Sequence, residues 1–261
     1  MDIIEQISIK EMVLKLTIIG NGAMAIALAD GLKERYELEF IIRDSGQIEH
    51  LTKRYNSKCY MIDQVDISDK DILLCVKPYA LDSVSRELIG EARSLYSILA
   101  GVDIATLNEK ISSKATIRAM PNLAATFGSS ATALTGDSAR RDEALDIFSS
   151  IGKAIWFGSQ KELDIATAVA GSGPAYLALV AEAMMDGAVK QGMKRSDSIE
   201  LVEALFGGFA PLLSAQHPAL LKDAVMSPGG TTAAGYASLE EGRVRDSFIK
   251  AIESAYGVTQ K

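Results

Sequence analysis

Short apolar runs alternate with helix-like patterns through the first 160 residues of the chain. Runs of branched aliphatic residues predict strands, and apolar residues at three-to-four spacing between them predict helices. The predicted strands are 14–19, 38–42, 71–76, 94–100, 116–120 and 154–157, and the predicted helices are 23–34, 79–89 and 139–151. This alternation indicates an α/β fold with a mostly parallel sheet that helices cover on both faces.

Beyond residue 160 the strand pattern disappears and helices are predicted at 174–191, 197–215, 218–225 and 242–256. The first of these helices is apolar on all sides, so we expect most of its surface to be buried. A helical region of about a hundred residues has a thin core on its own. Packing against a second copy of the chain is the simplest way to bury it.

Composition narrows the possible partners and the compartment. The 261 residues carry a net charge of −7, which argues against a general nucleic-acid binder because such proteins need a basic face. No run approaches the roughly eighteen consecutive apolar residues of a membrane span. The first residues also lack the basic segment and apolar block of a secretion signal. We therefore expect a soluble cytoplasmic protein with neither a membrane nor a nucleic-acid partner.

Two cysteines and two histidines limit the chemistry that the chain can perform. Cys59 and Cys75 lie in apolar, strand-like runs, which predicts small buried thiols in a reducing compartment. His50 and His217 leave little material for a histidine-rich metal site or a Ser-His-Asp triad. We expect no metal site, and the chain is interpreted as an enzyme or a binding protein.

The run Gly20-Asn21-Gly22-Ala23-Met24-Ala25 follows the first predicted strand and opens the first predicted helix. In this G-x-G-x-x-G/A pattern, Gly20 permits the tight turn and Gly22 lets the backbone approach a pyrophosphate. The helix N-terminus adds amide donors and a positive dipole. A turn after any strand can carry such glycines, but the position near the chain start and the second strand at the expected distance predict a dinucleotide site.

The end of the second predicted strand bears on the choice of cofactor. An NAD site usually places Asp or Glu there for the ribose hydroxyls. Here Arg43 can pair with the 2′-phosphate of NADPH and Ser45 can donate to it, whereas Asp44 comes one position late. NADPH is favoured, with NADH and a merely solvated charged turn as the alternatives.

Three further segments lie at predicted strand ends, where ligands bind in open α/β sheets. Val76-Lys77-Pro78 and Ala100-Gly101-Val102 are candidates to line the cofactor, and the amide of Asn122 to orient the nicotinamide or the substrate. Ordinary strand-ending turns are the alternative. Arg118 can equally be a salt-bridge partner in the structure.

Two glycine-containing loops stand out in the second half. In the first, Ser172 is a natural N-cap with Pro174 in the first helical turn. In the second, 225–232, two adjacent glycines lie between hydroxyl residues and precede a helix. This pattern predicts a nest of backbone donors suited to a carboxylate. A flexible turn with a threonine N-cap is the alternative.

We expect neither region to offer a histidine, a lysine or paired carboxylates beside these loops. Dehydrogenases that act on alcohols need a base for the hydroxyl proton. An imine differs, because its nitrogen can be protonated before the carbon accepts a hydride. Its site needs only orientation, a carboxylate clamp and a hydrogen-bond partner for the nitrogen. The combination points to the reduction of an imine.

Five motifs, in order and spacing, resemble those of the pyrroline-5-carboxylate reductases over residues 14–257. They are Gly20-x-Gly22-x-Met24-Ala25, Val76-Lys77-Pro78, Arg118-x-Met120-Pro121-Asn122, Gly171-Ser172-Gly173-Pro174-Ala175-Tyr176 and Ser227-Pro228-Gly229-Gly230-Thr231-Thr232, the last followed by Gly235 and Leu239-Glu240. The resemblance implies NAD(P)H-dependent reduction of 1-pyrroline-5-carboxylate to L-proline, the last step of proline biosynthesis.

The resemblance also implies an organisation of the chain. An N-terminal extension is expected at 1–11, an NAD(P)-binding Rossmann domain at 12–158 and a helical dimerisation and substrate domain at 159–261, with Met12 as a second candidate start. The helical domain is expected to interlock with a partner in a domain-swapped homodimer whose protomers share the active site. Higher oligomers are an open alternative.

Carried over residue by residue, the resemblance assigns roles at both loops. Ser227 and the backbone of Gly230 and Thr231 should hold the substrate carboxylate, and Thr232 should hydrogen-bond the ring nitrogen; Ser227 and Thr232 are the expected catalytic residues. The expected substrate-binding set is Val225, Ser227, Gly229, Gly230, Thr231 and Thr232. The expected cofactor-binding set is Gly20, Asn21, Gly22, Ala23, Met24, Arg43, Ser45, Val76, Lys77, Pro78, Ala100, Gly101 and Asn122.

Some residues depart from the family pattern and bear on the shape of the pocket. They are Leu123, Ala124, Ala224, Met226 and Tyr236. A reductase of a related cyclic imine acid is therefore an alternative interpretation. A non-catalytic NADPH-binding protein is a second one, although the glycine nest and its hydroxyls are retained.

Overall fold

The computed structural model describes residues 15–260, which divide into two compact units. The first, the sheet unit, runs to Gly171, and the second, the helical unit, is Ser172–Thr259. The expected extension at 1–11 and the candidate start at Met12 lie outside the described residues.

The sheet unit is built on eight strands. In chain order they are β1 Lys15–Ile19, β2 Glu37–Ile42, β3 Lys58–Met61, β4 Asp71–Leu74, β5 Ser94–Ser97, β6 Thr116–Met120, β7 Ser130–Gly136 and β8 Gly152–Trp156. Their spatial order is β3-β2-β1-β4-β5-β6-β7-β8, and every neighbouring pair is parallel except β6 and β7. The first six strands follow the order of a Rossmann sheet, which confirms the predicted fold class.

Alternating strand residues face two separate apolar cores, one on each side of the sheet. On β4, Leu73 belongs to one core, while Ile72 and Leu74 belong to the other. The six helices of the sheet unit are α1 Ala23–Leu32, α2 Ile48–Tyr55, α3 Leu81–Ser85, α4 Ile104–Lys110, α5 Arg141–Ser149 and α6 Gln160–Ala166. Helices α1, α2 and α5 cover the first core and α3 and α4 the second. The strands are therefore continuous apolar runs because both faces are buried.

The structure differs from the predicted elements where tertiary contacts override local pattern. Strand β7 was not predicted, since its sequence of small and polar residues resembles a loop. The helix expected at 79–89 is short: a 3₁₀ turn, Pro78–Ala80, leads into α3, and Leu88–Ile89 instead pairs as a strand with Val65–Asp66. Strands β4 and β5 also end before the predicted residues 76 and 100.

Helix α6 packs within the sheet unit. Leu163 is buried with Met120 and Ala133, and Asp164 pairs with Arg118 of β6 at 2.9 Å. These contacts extend the sheet unit to Gly171. The domain boundary expected after residue 158 stays a prediction.

The helical unit contains α7 Gly173–Lys190, α8 Arg195–Ala215, α9 Pro218–Val225, α10 Thr231–Glu241 and α11 Val244–Thr259. Only Ser198 and Val202 are buried among its described residues. Helix α7, expected to be buried on most sides, has no buried residue within the single chain. Its burial therefore requires something beyond this chain.

Two helical stretches, Gln160–Lys190 and Arg195–Ala215, are long and apolar enough to cross a membrane by length and composition alone, with mean hydropathies of 1.4 and 1.3. Neither stretch is an uninterrupted apolar run, which is why the sequence pattern did not predict them as candidate spans. A largely apolar helix that tolerates one or two charges is also typical of a core or an interface between subunits.

Candidate functional site

A cavity of about 230 Å³ opens at the carboxyl ends of β1, β2 and β4 in the sheet unit. It brings together six of the predicted cofactor residues: Gly20, Asn21, Gly22, Arg43, Val76 and Lys77. Arg43 and Lys77 are the charged residues in its described lining, which holds no carboxylate. In a protein of net charge −7, this local cationic character favours an anionic ligand.

The glycine loop has the conformation that its sequence predicts. Gly20 has φ +114°, and a Cβ there would lie 2.6 Å from the Cys75 carbonyl oxygen. Gly22 is the N-cap of α1, with no side-chain cap, and a Cβ on it would meet no atom within 4 Å. Within residues 15–260 no group accepts from the N–H of Ala23 or Met24. The loop therefore presents free backbone donors to open space, as a phosphate site requires.

In the turn after β2, the charged side chains of Arg43 and Asp44 have different partners. The Asp44 carboxylate accepts from the Gly46 N–H at 2.9 Å and so caps the 3₁₀ turn Ser45–Gln47. Arg43 lines the cavity, and its Nη1 donates to the Ser83 hydroxyl at 3.4 Å. Asp44 is thus engaged in its own turn, while Arg43 forms part of the cavity wall. Ser45 is exposed beside it but is not among the lining residues.

Other predicted cofactor residues lie outside this cavity. Pro78 opens the 3₁₀ turn beside it, and Ala100 and Gly101 follow β5 in an exposed loop where Gly101 has φ +70°. Asn122 follows β6, where its side-chain oxygen accepts from the Ala124 N–H at 3.1 Å and its amide donates to the Ala170 carbonyl at 3.0 Å. The Asn122 side chain therefore ties its own loop to the segment after α6.

Sequence reasoning missed two residues at the cavity. Tyr79 lies at the edge of the cavity and is 87% exposed. Ser83 contacts Arg43, which lines the cavity. The position of Tyr79, directly after the predicted cofactor residues Lys77 and Pro78, is a sequence signal that could have identified it. Nothing in the local pattern marks Ser83, because its contact joins residues forty positions apart.

Arg118, left open between a site role and a structural one, has a structural environment. It is 3% exposed, donates to Asp164 at 2.9 Å and to Gln160 at 3.3 Å, and so fastens α6 to the sheet. The cysteines differ from the expectation in one case, since Cys75 is buried but Cys59 is only half-buried. Burial raises the pKa of both thiols, which makes them poor nucleophiles.

The second loop, between α9 and α10, forms a tight turn in the helical unit. The Gly230 N–H donates to the Ser227 carbonyl at 3.0 Å, and Gly229, with φ +68°, follows Pro228 as a type II turn requires. A Cβ on Gly230 would lie 2.3 Å from the Ser227 Oγ. The serine hydroxyl is therefore held directly against the turn.

The turn leads into the open N-terminus of α10. Its N-cap is Gly230 rather than a threonine, and no side chain caps it. Within the described chain no group accepts from the N–H of Thr231 or Thr232, and both residues are exposed. Val225 ends α9 and is 59% exposed. The turn thus carries free N–H groups next to exposed hydroxyl residues, which are the donors that an anion cradle needs.

The helical unit corrects two expectations. The first is the absence of a lysine beside the loops: Lys222 lies on α9, which leads into the second loop, and its Nζ is 5.3 Å from the centre of the Tyr236 ring. A hydrogen bond and ion pair with Asp223 raise the pKa of Lys222, so it stays protonated and is no general base. Ser172 makes no side-chain cap, because it adopts a helical conformation directly after a π turn, Thr167–Gly171.

Comparison with known proteins places this chain in a family. A family model described as pyrroline-5-carboxylate reductase dimerisation matches residues 160–261, and one described as NADP oxidoreductase, coenzyme F420-dependent, matches residues 15–101. A pyrroline-5-carboxylate reductase of Helicobacter pylori is 35% identical over 246 residues, covering 90% of this chain and 95% of its own. The chain belongs to the pyrroline-5-carboxylate reductase family.

Solved structures of pyrroline-5-carboxylate reductases share the fold along nearly the whole chain. The enzyme of Streptococcus pyogenes matches with a TM-score of 0.82 at 30% identity, over 95% of this chain and 98% of that one. The enzyme of Plasmodium falciparum, solved with NADP bound, matches with a TM-score of 0.76 at 28% identity, over 94% of this chain and 97% of that one.

Membership of the pyrroline-5-carboxylate reductase family explains the uncovered helical unit. The matched dimerisation region includes all of α6 to α11, the same helices that expose large apolar side chains in the single chain. Large apolar side chains exposed in a region that matches a dimerisation model form the kind of surface that a partner subunit would cover.

Proposed function

We propose that this protein reduces 1-pyrroline-5-carboxylate to L-proline by hydride transfer from NADPH, the last step of proline biosynthesis. The observation that carries the proposal is the turn from Ser227 to Thr232, with its free N–H groups and hydroxyls, in a chain of this family. The cationic cavity with its open glycine loop supports the cofactor assignment. NADH stays a weaker alternative to NADPH.

The sheet unit binds the dinucleotide in this proposal. The backbone from Gly20 to Met24 receives the pyrophosphate, as the free N–H groups of α1 allow. Arg43 and Ser45 hold the 2′-phosphate, and the exposed Tyr79 ring offers an apolar face to the adenine. The predicted residues of the later strand ends border the rest of the cofactor: Val76, Lys77, Pro78, Ala100, Gly101 and Asn122.

The helical unit binds the substrate. The Ser227 hydroxyl and the backbone of Gly230 and Thr231, with the free N–H of Thr231, hold the carboxylate. Gly229 shapes the turn and Val225 lines the site. NADPH supplies the hydride that reduces the imine carbon. The Thr232 hydroxyl hydrogen-bonds the ring nitrogen, which carries its proton before the hydride arrives. No general base is assigned, because hydride addition to an imine that is already protonated requires no proton removal.

The proposal extends to the assembly and its location. A homodimer, with the helical domains of two protomers interlocked and each active site shared between them, buries the apolar helices. Higher oligomers built from such dimers are compatible with it. A cytoplasmic location, away from membranes and nucleic acids, fits a biosynthetic enzyme with free thiols.

The reaction is tested by measuring the oxidation of NADPH by the purified protein, first with 1-pyrroline-5-carboxylate and then with its six-membered-ring analogue. Turnover of the five-membered substrate at the higher kcat/KM is expected. Preference for the six-membered ring would instead support the related cyclic imine acid, to which Met226 and Tyr236 adapt the pocket. NADPH binding without oxidation of either substrate would indicate a non-catalytic NADPH-binding protein and overturn both enzymatic readings.

Two adjacent threonines provide a matched test of the nitrogen partner. Thr232→Ala should lower kcat by about ten- to a hundredfold, because a hydrogen bond to the reacting nitrogen is lost. Thr231→Ala should lower it by less than about threefold, since Thr231 contributes its backbone N–H. Steady-state kinetics on both variants decides the point. Equal effects of the two substitutions would refute the role given to Thr232.

A further inference from the structure

Ser83 lies on α3 and contacts the arginine that we assign to the 2′-phosphate. Its hydroxyl donates to the Ala80 carbonyl at 2.9 Å and accepts from Nη1 of Arg43 at 3.4 Å. A carbonyl oxygen only accepts and a guanidinium only donates, so the two partners determine the direction of both hydrogen bonds. Ser83 therefore turns a lone pair toward Arg43 and has no proton left for a phosphate.

Arg43 has little else to hold it. Its side chain is exposed, and within residues 15–260 the Ser83 hydroxyl is the only hydrogen-bond partner of its guanidinium. No carboxylate in the described chain forms an ion pair with it. An arginine loses considerable rotamer entropy when a ligand orders it, and an existing contact reduces that loss on binding.

We propose that Ser83 is a positioning residue that pre-orients Arg43 and thereby strengthens binding of dinucleotides that carry a 2′-phosphate. This inference rests on the proposed binding of NADPH in the cavity. It adds a residue of α3 to the determinants of cofactor choice, forty positions from the arginine through which it acts.

The same helix offers a matched control. Ser85 also donates to the carbonyl three residues before it, Asp82, at 3.2 Å, but it does not contact Arg43. A serine that merely supports α3 would behave alike at both positions. A difference between Ser83→Ala and Ser85→Ala therefore isolates the contact with Arg43.

The experiment titrates the full-length protein with 2′,5′-ADP and with 5′-AMP by calorimetry, without turnover. These probes differ only in the 2′-phosphate. Ser83→Ala should weaken 2′,5′-ADP about three- to fivefold and leave 5′-AMP unchanged, as the loss of one exposed hydrogen bond predicts. Ser83→Thr, which keeps the hydroxyl, and Ser85→Ala should match the wild type. In an Arg43→Ala background, Ser83→Ala should have no further effect.

Several outcomes would overturn the proposal: equal weakening of both probes, equal effects of Ser83→Ala and Ser85→Ala, or an effect that persists without Arg43. If Ser83→Ala does not fold, Ser83→Cys, which keeps the size but is a weaker acceptor, carries the same expectation. A wild-type protein that binds 2′,5′-ADP no tighter than 5′-AMP would refute the NADPH preference itself. Loss of NADPH oxidation with normal probe binding would refute only the proposed reaction.

Discussion

The sheet unit and the helical unit bury their apolar residues in different ways. In the sheet unit, Leu28, Phe40 and Phe148 are completely buried within one chain. In the helical unit, large apolar residues of comparable size remain open, such as Leu179 at 65% exposure and Leu205 at 49%. One unit completes its core within the single chain, and the other leaves large apolar residues uncovered. An exposed apolar surface of this kind, in a region that matches a dimerisation model, is typical of a subunit interface.

A charge placed on α8 is expected to have the largest effect. Leu205→Glu keeps helix propensity high. In the proposed dimer it would bury an unpaired carboxylate, which costs at least about 3 kcal/mol for each protomer. We expect monomers by light scattering and loss of NADPH oxidation. The single-chain exposure of Leu205 would by itself predict almost no change.

Ile89→Glu is the matched control, because Ile89 of the sheet unit is 48% exposed, nearly the same fraction as Leu205. At a true surface position the change in stability should stay within about 0.5 kcal/mol, and the dimer should persist. If both variants remain dimeric with unchanged melting temperatures, the contrast between the two units is wrong.

The glycine turns at Gly22 and Gly230 test the contrast between the two units through the ligand that each unit binds. Gly22→Ala places a methyl group in the open space beside α1, so NADPH binding should weaken about tenfold or more while the protein folds normally. Gly230→Ala pushes against the Ser227 hydroxyl, so KM for the pyrroline should rise by a similar factor. Fluorescence titration of NADPH and steady-state kinetics separate the two effects.

Each glycine variant serves as the control for the other. Gly230→Ala should leave the dissociation constant of NADPH near that of the wild type, and Gly22→Ala should leave KM for the pyrroline nearly unchanged once NADPH is saturating. Coupled losses of both ligands in either variant would contradict the assignment of one ligand to each unit.

Sequence patterns predicted the sheet unit well where the information is local. The first strand, the glycine loop and α1 were all found, since a buried strand, a G-x-G-x-x-A turn and a following helix lie within eighteen residues. Strand β7 was missed because its alanines, serines and threonines do not form the apolar run typical of a buried strand, although most of them are buried in the fold. Its antiparallel pairing with β6 depends on register, which no periodicity encodes.

Sequence patterns predicted the backbone conformation of the two candidate loops well and contacts between distant residues poorly. Glycines and prolines carry their own conformational constraints, so Gly20 and the turn before α10 were recognisable from the sequence alone. The contact of Ser83 with Arg43 was not, because it joins residues forty positions apart that only the folded chain brings together. The capping role of Asp44 was also not predicted, although its partner Gly46 lies two residues on.

Acid sensitivity of the sheet unit is the smallest effect expected. Burial of the Glu39 carboxyl opposes its ionisation, but hydrogen bonds from Lys70 and Lys15 outweigh this and lower the pKa of Glu39 below 4.5. A lowered pKa in the folded state stabilises the protein above the unfolded pKa, and this contribution disappears as the pH falls through the folded value. Glu39→Gln should therefore cost about 1–2 kcal/mol at neutral pH and flatten the fall in melting temperature below pH 4.5.

Glu37→Gln, at the exposed start of the same strand, should keep the wild-type profile by circular dichroism. A Glu39→Gln profile parallel to that of the wild type from pH 7 to 3 would show that this buried carboxylate does not govern the acid response of the sheet unit.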